Sequence, residues 1–175
     1  MRALVAFGTK YGSTARIAEV IGEELRAKGY RVDIRDLRDG VGEGVKGYDL
    51  AVVGSSVFIG KWTRESQEFI DSVSADLANR RVALFVSCSD VLFPDKVEAG
   101  RKMYLEGVAA KVPGLSPVAM GMFGGVIDFA RYSTLTKVLL AGVGTKKALQ
   151  GRGIDSSKPY DYRNWEEIRT WARSL

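Results

Sequence analysis

The chain has 175 residues, 46% hydrophobic and 27% charged, the proportions of one globular domain with a sizeable core. It has no histidine and a single cysteine, Cys88, which excludes histidine-based triads, the commonest zinc sites and any internal disulfide. Its formal net charge of +5 is concentrated, because between residues 129 and 158 Arg131, Lys137, Lys146, Lys147, Arg152 and Lys158 face a single acid, Asp155.

"RALVAFG" (2–8) reads as a buried strand that follows the start directly, with no leader pattern. "STARIAEVIGEELRAKG" follows with Ile17, Ala18, Ile21 and Leu25 at helical spacing and Gly29 as a stop. "YRVDIRDL" (30–37) alternates like a half-buried strand, and "DGVGEGVKG" (39–47) is a glycine-rich loop. The next strands are "YDLAVVGSS" (48–56), "RVALFVSCS" (81–89) and "LSPVAMGMF" (115–123). Helices are expected over 66–80, 95–112, 127–142 and 164–174, the last capped by Asn164 with Glu167 three residues on. No apolar run reaches the roughly 18 residues of a membrane-spanning helix.

Strand and helix alternate, and the strands are rich in buried β-branched residues. That rhythm predicts a parallel sheet covered on both faces, with right-handed crossovers and strand order 2-1-3-4-5. Ligands then bind where the winding reverses, at the carboxyl ends of strands one and three. The whole chain, 1–175, is expected to form one domain.

Three loops fall on that edge. The first holds Thr9, Lys10, Tyr11, Gly12, Ser13 and Thr14. A helix N-terminus offers backbone N–H groups and a partial positive charge, and the hydroxyls and Gly12 suit a phosphate monoester. Lys10 or Arg16 would add charge; a capped polar turn is the alternative. The spacing matches neither a Walker A loop nor G-x-G-x-x-G. The second loop holds Ser55, Ser56, Val57, Phe58, Ile59 and Gly60, then Trp62; small residues beside Phe58 and Trp62 suit a flat aromatic ring. The third supplies Ser87, Cys88, Ser89 and Asp90. Cys88 is expected to be a buried strand-end residue, since no histidine is present to activate it.

"VAFGTKYGSTARIAEVI" (5–21) resembles the flavodoxin signature at Val5, Phe7, Thr9, Gly12, Thr14, Ala18 and Ile21, and departs from it at Ala6. The resemblance implies a flavodoxin-like three-layer α/β/α sandwich that binds FMN, with the third loop along the other side of the flavin ring. "DSSKPYDYRNWEEIRTWARSL" (155–175) is similar to the closing segment of the menaquinone-dependent protoporphyrinogen dehydrogenases. Asp155, Ser156, Lys158, Tyr162, Asn164, Trp165, Glu166 and Ile168 carry that likeness. The stretch "DVLFPDK" is shorter and less basic than the corresponding stretch of those enzymes.

The expected activity is therefore an FMN-dependent oxidoreductase passing electrons from a donor such as protoporphyrinogen IX to a quinone. The alternative is a flavodoxin-type carrier that docks to redox partners; a pI near 9.3 weighs against the usual basic partners. In the predicted helix 127–142, Phe129, Tyr132, Leu135 and Leu139 share a face, with Thr136 and Leu140 beside it. That stripe is either core or, with the basic residues of 129–158, a surface for membrane or quinone contact. No motif indicates nucleic acid. The cytoplasm, with peripheral contact on the inner face of the membrane, is the expected location.

Overall fold

The computed structural model describes the chain apart from residues 41, 43, 78, 79, 135, 139–144 and 156, and the backbone alone of 145, 146 and 148. Two compact units result: Met1–Gly124 with Asn164–Leu175, and Gly125–Arg163.

The first unit is built on strands β1 (Arg2–Gly8), β2 (Arg31–Asp36), β3 (Leu50–Phe58), β5 (Arg81–Ser87) and β6 (Ala119–Phe123). They lie in the order β2-β1-β3-β5-β6, all parallel, which is the expected 2-1-3-4-5 arrangement. A sixth, two-residue strand β4 (Lys61–Trp62) folds back antiparallel on the end of β3, a hairpin that the sequence pattern does not announce.

Helices α1 (Ser13–Ala27), α2 (Arg64–Leu77) and α6 (Trp165–Arg173) cover the sheet with a third helical stretch. That stretch is α3 (Pro94–Arg101), a π turn (Lys102–Glu106) and α4 (Gly107–Ala109). Strand alternation divides β1 between two cores. Ala3, Val5 and Phe7 pack with Ile17, Ile21 and Leu25 of α1 and with Ile168 and Ala172 of α6. Leu4 and Ala6 pack with Phe69 and Ile70 of α2 and with Tyr104 and Leu105 of the π turn.

The predicted C-terminal helix and its cap are present, with the Glu167 amide donating to Asn164 Oδ1 at 3.2 Å. Trp165 packs against the α1 side of the sheet.

The helix predicted over 127–142 is present in part: residues 134 and 136–138 are helical, with the Lys137 amide donating to the Ser133 carbonyl at 2.9 Å, but the segment before them is not. Val126–Ile127 (β7) pairs antiparallel with Tyr160–Asp161 (β8), and Asp128 accepts from the Ala130 amide to start a 3₁₀ turn over Phe129–Arg131. Pairing with a strand more than 30 residues away overrides local helical periodicity at Val126 and Ile127. Phe129 and Tyr132 meet edge-on, ring centroids 5.5 Å apart. Leu135, Leu139 and Leu140 of the proposed stripe, and Ser156 of the tail motif, lie outside the described residues. A short helix α5 (Thr145–Gln150) follows. No helix among the described residues is long and apolar enough to cross a membrane.

Candidate functional site

Register brings the three loops together. Gly8 pairs with Ser55, and Ser56 pairs with Ser87, so β1, β3 and β5 end side by side at their carboxyl ends. Gly8 leaves room for the second loop: a Cβ there would lie 2.0 Å from Thr63 Oγ1 and 2.3 Å from Ser66 Oγ.

The first loop turns on itself. The Gly12 amide donates to Thr9 Oγ1 at 3.0 Å, and Gly12 sits at φ 92°, a left-handed conformation that disfavours other residues. Gly12 is also the N-cap of α1 and offers no side chain to the first amides; no acid stands in the first turn. The Lys10 amide donates to Ser56 Oγ at 3.2 Å, tying the first loop to the second. Thr14 is fully buried, and its Oγ1 has no hydrogen-bond partner. Trp171 Nε1 is the other such atom among the described residues, and it belongs to a ring packed between Phe85 and Phe123. Thr14 has no such excuse: an unmet hydroxyl beside a helix N-terminus fits an anion that accepts from it.

The basic residues near this loop divide. Lys10 places its ammonium 3.2 Å from the Phe58 ring centroid, a cation–π contact with the second loop. Arg16 instead points along α1 to Glu19 (2.8 Å) and Glu23 (3.2 Å), so the structure does not direct it at the loop.

In the second loop, Phe58 is half-buried and meets Tyr11 edge-on at 6.4 Å. Trp62 is buried, and its Nε1–H donates to the Tyr104 carbonyl at 2.7 Å, so of the two candidate stacking rings Phe58 remains, with Lys10 over one of its faces. Ser55 is buried and occupied: its hydroxyl accepts from the Thr63 amide at 2.8 Å and donates to the Ser56 carbonyl at 2.9 Å. It anchors the hairpin. Val57 pairs with Trp62 across that hairpin, while Ile59 and Gly60 form its exposed tip.

In the third loop, Ser87 is buried and donates to the Gly124 carbonyl at 3.2 Å. Cys88 is buried, and loss of solvation pushes its thiol up to about 12, as expected for a packed residue and not a nucleophile. Ser89 and Asp90 are half-buried at the start of a 3₁₀ turn. The Asp90 carboxylate accepts from the Tyr104 hydroxyl at 2.9 Å, and burial raises the pKa of that phenol. Tyr104 carries no local sequence signal, since its partners Trp62 and Asp90 stand 42 and 14 residues away.

Beside the second loop lies an open groove of about 800 Å³, within the range of ligand sites. Gly60, Trp62, Tyr104 and Val108 give it an apolar lining. Its polar wall holds one ion pair, Arg64 to Glu68 at 2.7 Å, and Asp71, which accepts from the Gln67 amide at 3.0 Å. Lys61 and Lys111 add exposed ammonium groups. No cluster of metal-binding side chains occurs among the described residues.

A parallel sheet of this order, with a phosphate-type loop after its first strand and two further loops on the same edge, defines a nucleotide- or flavin-binding α/β domain. The flavodoxin domain profile matches residues 4–148, and the chain belongs to that family. It is 22% identical over 175 residues to the protoporphyrinogen IX dehydrogenase (quinone) of Escherichia coli strain K12, covering 100% of this chain and 94% of that protein. It is 23% identical over 172 residues to the enzyme of the same name from Leishmania major, covering 98% of this chain and 73% of that one. Among solved structures, a short-chain flavodoxin associated with a bacterial microcompartment superimposes with a TM-score of 0.61 at 14% identity, over 100% of this chain and 96% of that one, a likeness of fold. FMN is the cofactor that the family implies, and the unmet Thr14 hydroxyl and the opening of α1 at Gly12 fit its phosphate.

Proposed function

We infer that this chain is an FMN-dependent oxidoreductase that draws electrons from a reduced tetrapyrrole of the protoporphyrinogen class and delivers them to a quinone. The observation that carries the reading is the buried, unpartnered Oγ1 of Thr14 at the start of α1. Thr9, Lys10, Tyr11, Gly12, Ser13 and Thr14 would hold the phosphate through backbone N–H groups and hydroxyls. Phe58 would flank one side of the ring and Ser89 and Asp90 the other, with Ser55, Ser87 and Cys88 fixing the backbone from behind. FMN, when bound, supplies two-electron chemistry that no side chain here supplies.

The substrate half rests on the relatives that carry the activity and on the groove beside Gly60. Its aromatic lining suits a flat apolar body, and Lys61 and Lys111 suit that molecule's carboxylates. In the second unit Arg131, Lys137, Lys147, Arg152 and Lys158 are exposed. Such a basic surface fits anionic headgroups of the membrane in which a quinone dissolves, and supports peripheral contact on its inner face.

The test is a purification followed by an assay. The protein is expected to be yellow, to rebind FMN after stripping, and to reduce a quinone with protoporphyrinogen as donor. A colourless protein that ignores added FMN overturns the flavin reading. A yellow protein that is reduced by a partner reductase, but never by protoporphyrinogen, is a carrier of the flavodoxin type instead.

A further inference from the structure

The second and third loops are joined by a residue that belongs to neither. Tyr104 lies in the π turn Lys102–Glu106, closed by a bond from the Gly107 amide to the Lys102 carbonyl. Its carbonyl accepts the Trp62 indole N–H at 2.7 Å, at the base of the hairpin that carries Phe58, Ile59 and Gly60. Its hydroxyl donates to Asp90 Oδ2 at 2.9 Å, in the third loop. Tyr104 is 8% exposed, so neither bond competes freely with solvent.

The surroundings are shaped around this pair. Gly100, one helical turn earlier, is buried; a Cβ there would lie 3.2 Å from Asp90 Oδ2 and 3.3 Å from the Tyr104 ring. A π turn adds a residue to one turn of a helix and so re-aims the groups on it, a geometry frequent at functional sites. Here it presents carbonyl and hydroxyl of one residue to two different loops.

We propose that Tyr104 is the positioning residue of the ring site: it sets the distance between the Phe58 hairpin and Asp90, and so holds open the slot for the flavin ring. The proposal rests on the flavin reading above. Tyr104's hydrogen bonds go to Trp62 and Asp90 and not to the phosphate loop or the Lys10–Ser56 link, so its effect falls on the ring and not on the phosphate.

The test is a double-mutant cycle on the full-length apoprotein, titrated with FMN and with riboflavin, which lacks the phosphate. Tyr104→Phe keeps the ring and the carbonyl bond and removes only the hydroxyl. It is expected to weaken both ligands by the same factor, about tenfold for a lost bond to a charged group. Asp90→Ala is expected to lose at least as much, since Asp90 also flanks the ring, and the double variant to be no worse than Asp90→Ala alone. Asp90→Asn, which keeps an acceptor, restores the dependence on the Tyr104 hydroxyl and covers the case in which Asp90→Ala does not fold. Unchanged affinity in Tyr104→Phe, multiplying losses in the double variant, or a loss seen for FMN but not riboflavin overturns the proposal. If wild-type protein binds neither ligand, the flavin reading itself has failed; if it binds both and the variants behave additively, the brace alone has failed.

Discussion

The amide of Lys10 donates to the hydroxyl of Ser56 at 3.2 Å, across the boundary between the first and second loops. Because β1 and β3 are neighbours in register, this one bond locks the proposed phosphate cradle to the strand that carries the ring-stacking hairpin. Ser56→Ala removes the acceptor. The expected cost is about 1 kcal/mol, or roughly fivefold in FMN affinity, since a neutral hydrogen bond is lost. Titration of apoprotein with FMN checks it.

Thr14→Val should move stability and affinity in opposite directions. The hydroxyl is fully buried without a partner, so replacing it by a methyl of similar size relieves the apoprotein of a desolvated polar atom. Urea unfolding is expected to show an apoprotein more stable by about 1 kcal/mol. FMN binding is expected to weaken by about tenfold, the worth of a hydrogen bond to a charged group. Loss of stability in the apoprotein would mean that Thr14 is an ordinary structural residue.

Ile59 stands at φ 49°, the sole described residue other than glycine in the left-handed region, and it is 61% exposed. A β-branched side chain there costs about 1–2 kcal/mol, and little burial offsets it. Asn tolerates that backbone better. Ile59→Asn is expected to raise the unfolding free energy by about 1 kcal/mol, measured by urea denaturation of the apoprotein. Strain held at the tip of the proposed ring loop is the kind that functional sites retain.

Glu24 supports an acid limb in the pH–stability curve. A hydrogen bond from Arg173, and a second from Arg169, hold its carboxyl below the ordinary 4.5. Because the folded value is depressed, this contribution is complete above the unfolded value and is lost as pH falls through the folded one. Glu24→Gln should therefore lower Tm at pH 7, and its gap to wild type should close as pH drops below 4.5. A gap that persists at low pH would assign the effect to packing.

How far the sequence led depends on where each feature's partners stand. β1 and α1 are local, and hydrophobic period specified both, with the Thr9–Thr14 loop falling between them. Asn164 as a cap was equally local. The β3–β4 hairpin was not legible, because its turn rests on Ile59 in a conformation that isoleucine avoids. Trp62 reads as an exposed stacking ring until its indole bond to Tyr104 is known. The segment after β6 carries helical spacing, yet Val126 and Ile127 pair with Asp161 and Tyr160, a contact that no window of sequence contains. Tyr104 was missed for the same reason.

The placement of α6 has a consequence for how the protein is made. Trp171 packs against Phe85 and Phe123, with ring centroids 6.2 and 5.4 Å away, while Arg169 and Arg173 clasp Glu24 from the far end of the chain. A nascent chain therefore carries its α1-side aromatic surface uncovered until residues 165–173 have left the ribosome. Chaperone attachment should concentrate in that interval and end once Trp171 has emerged from the ribosome.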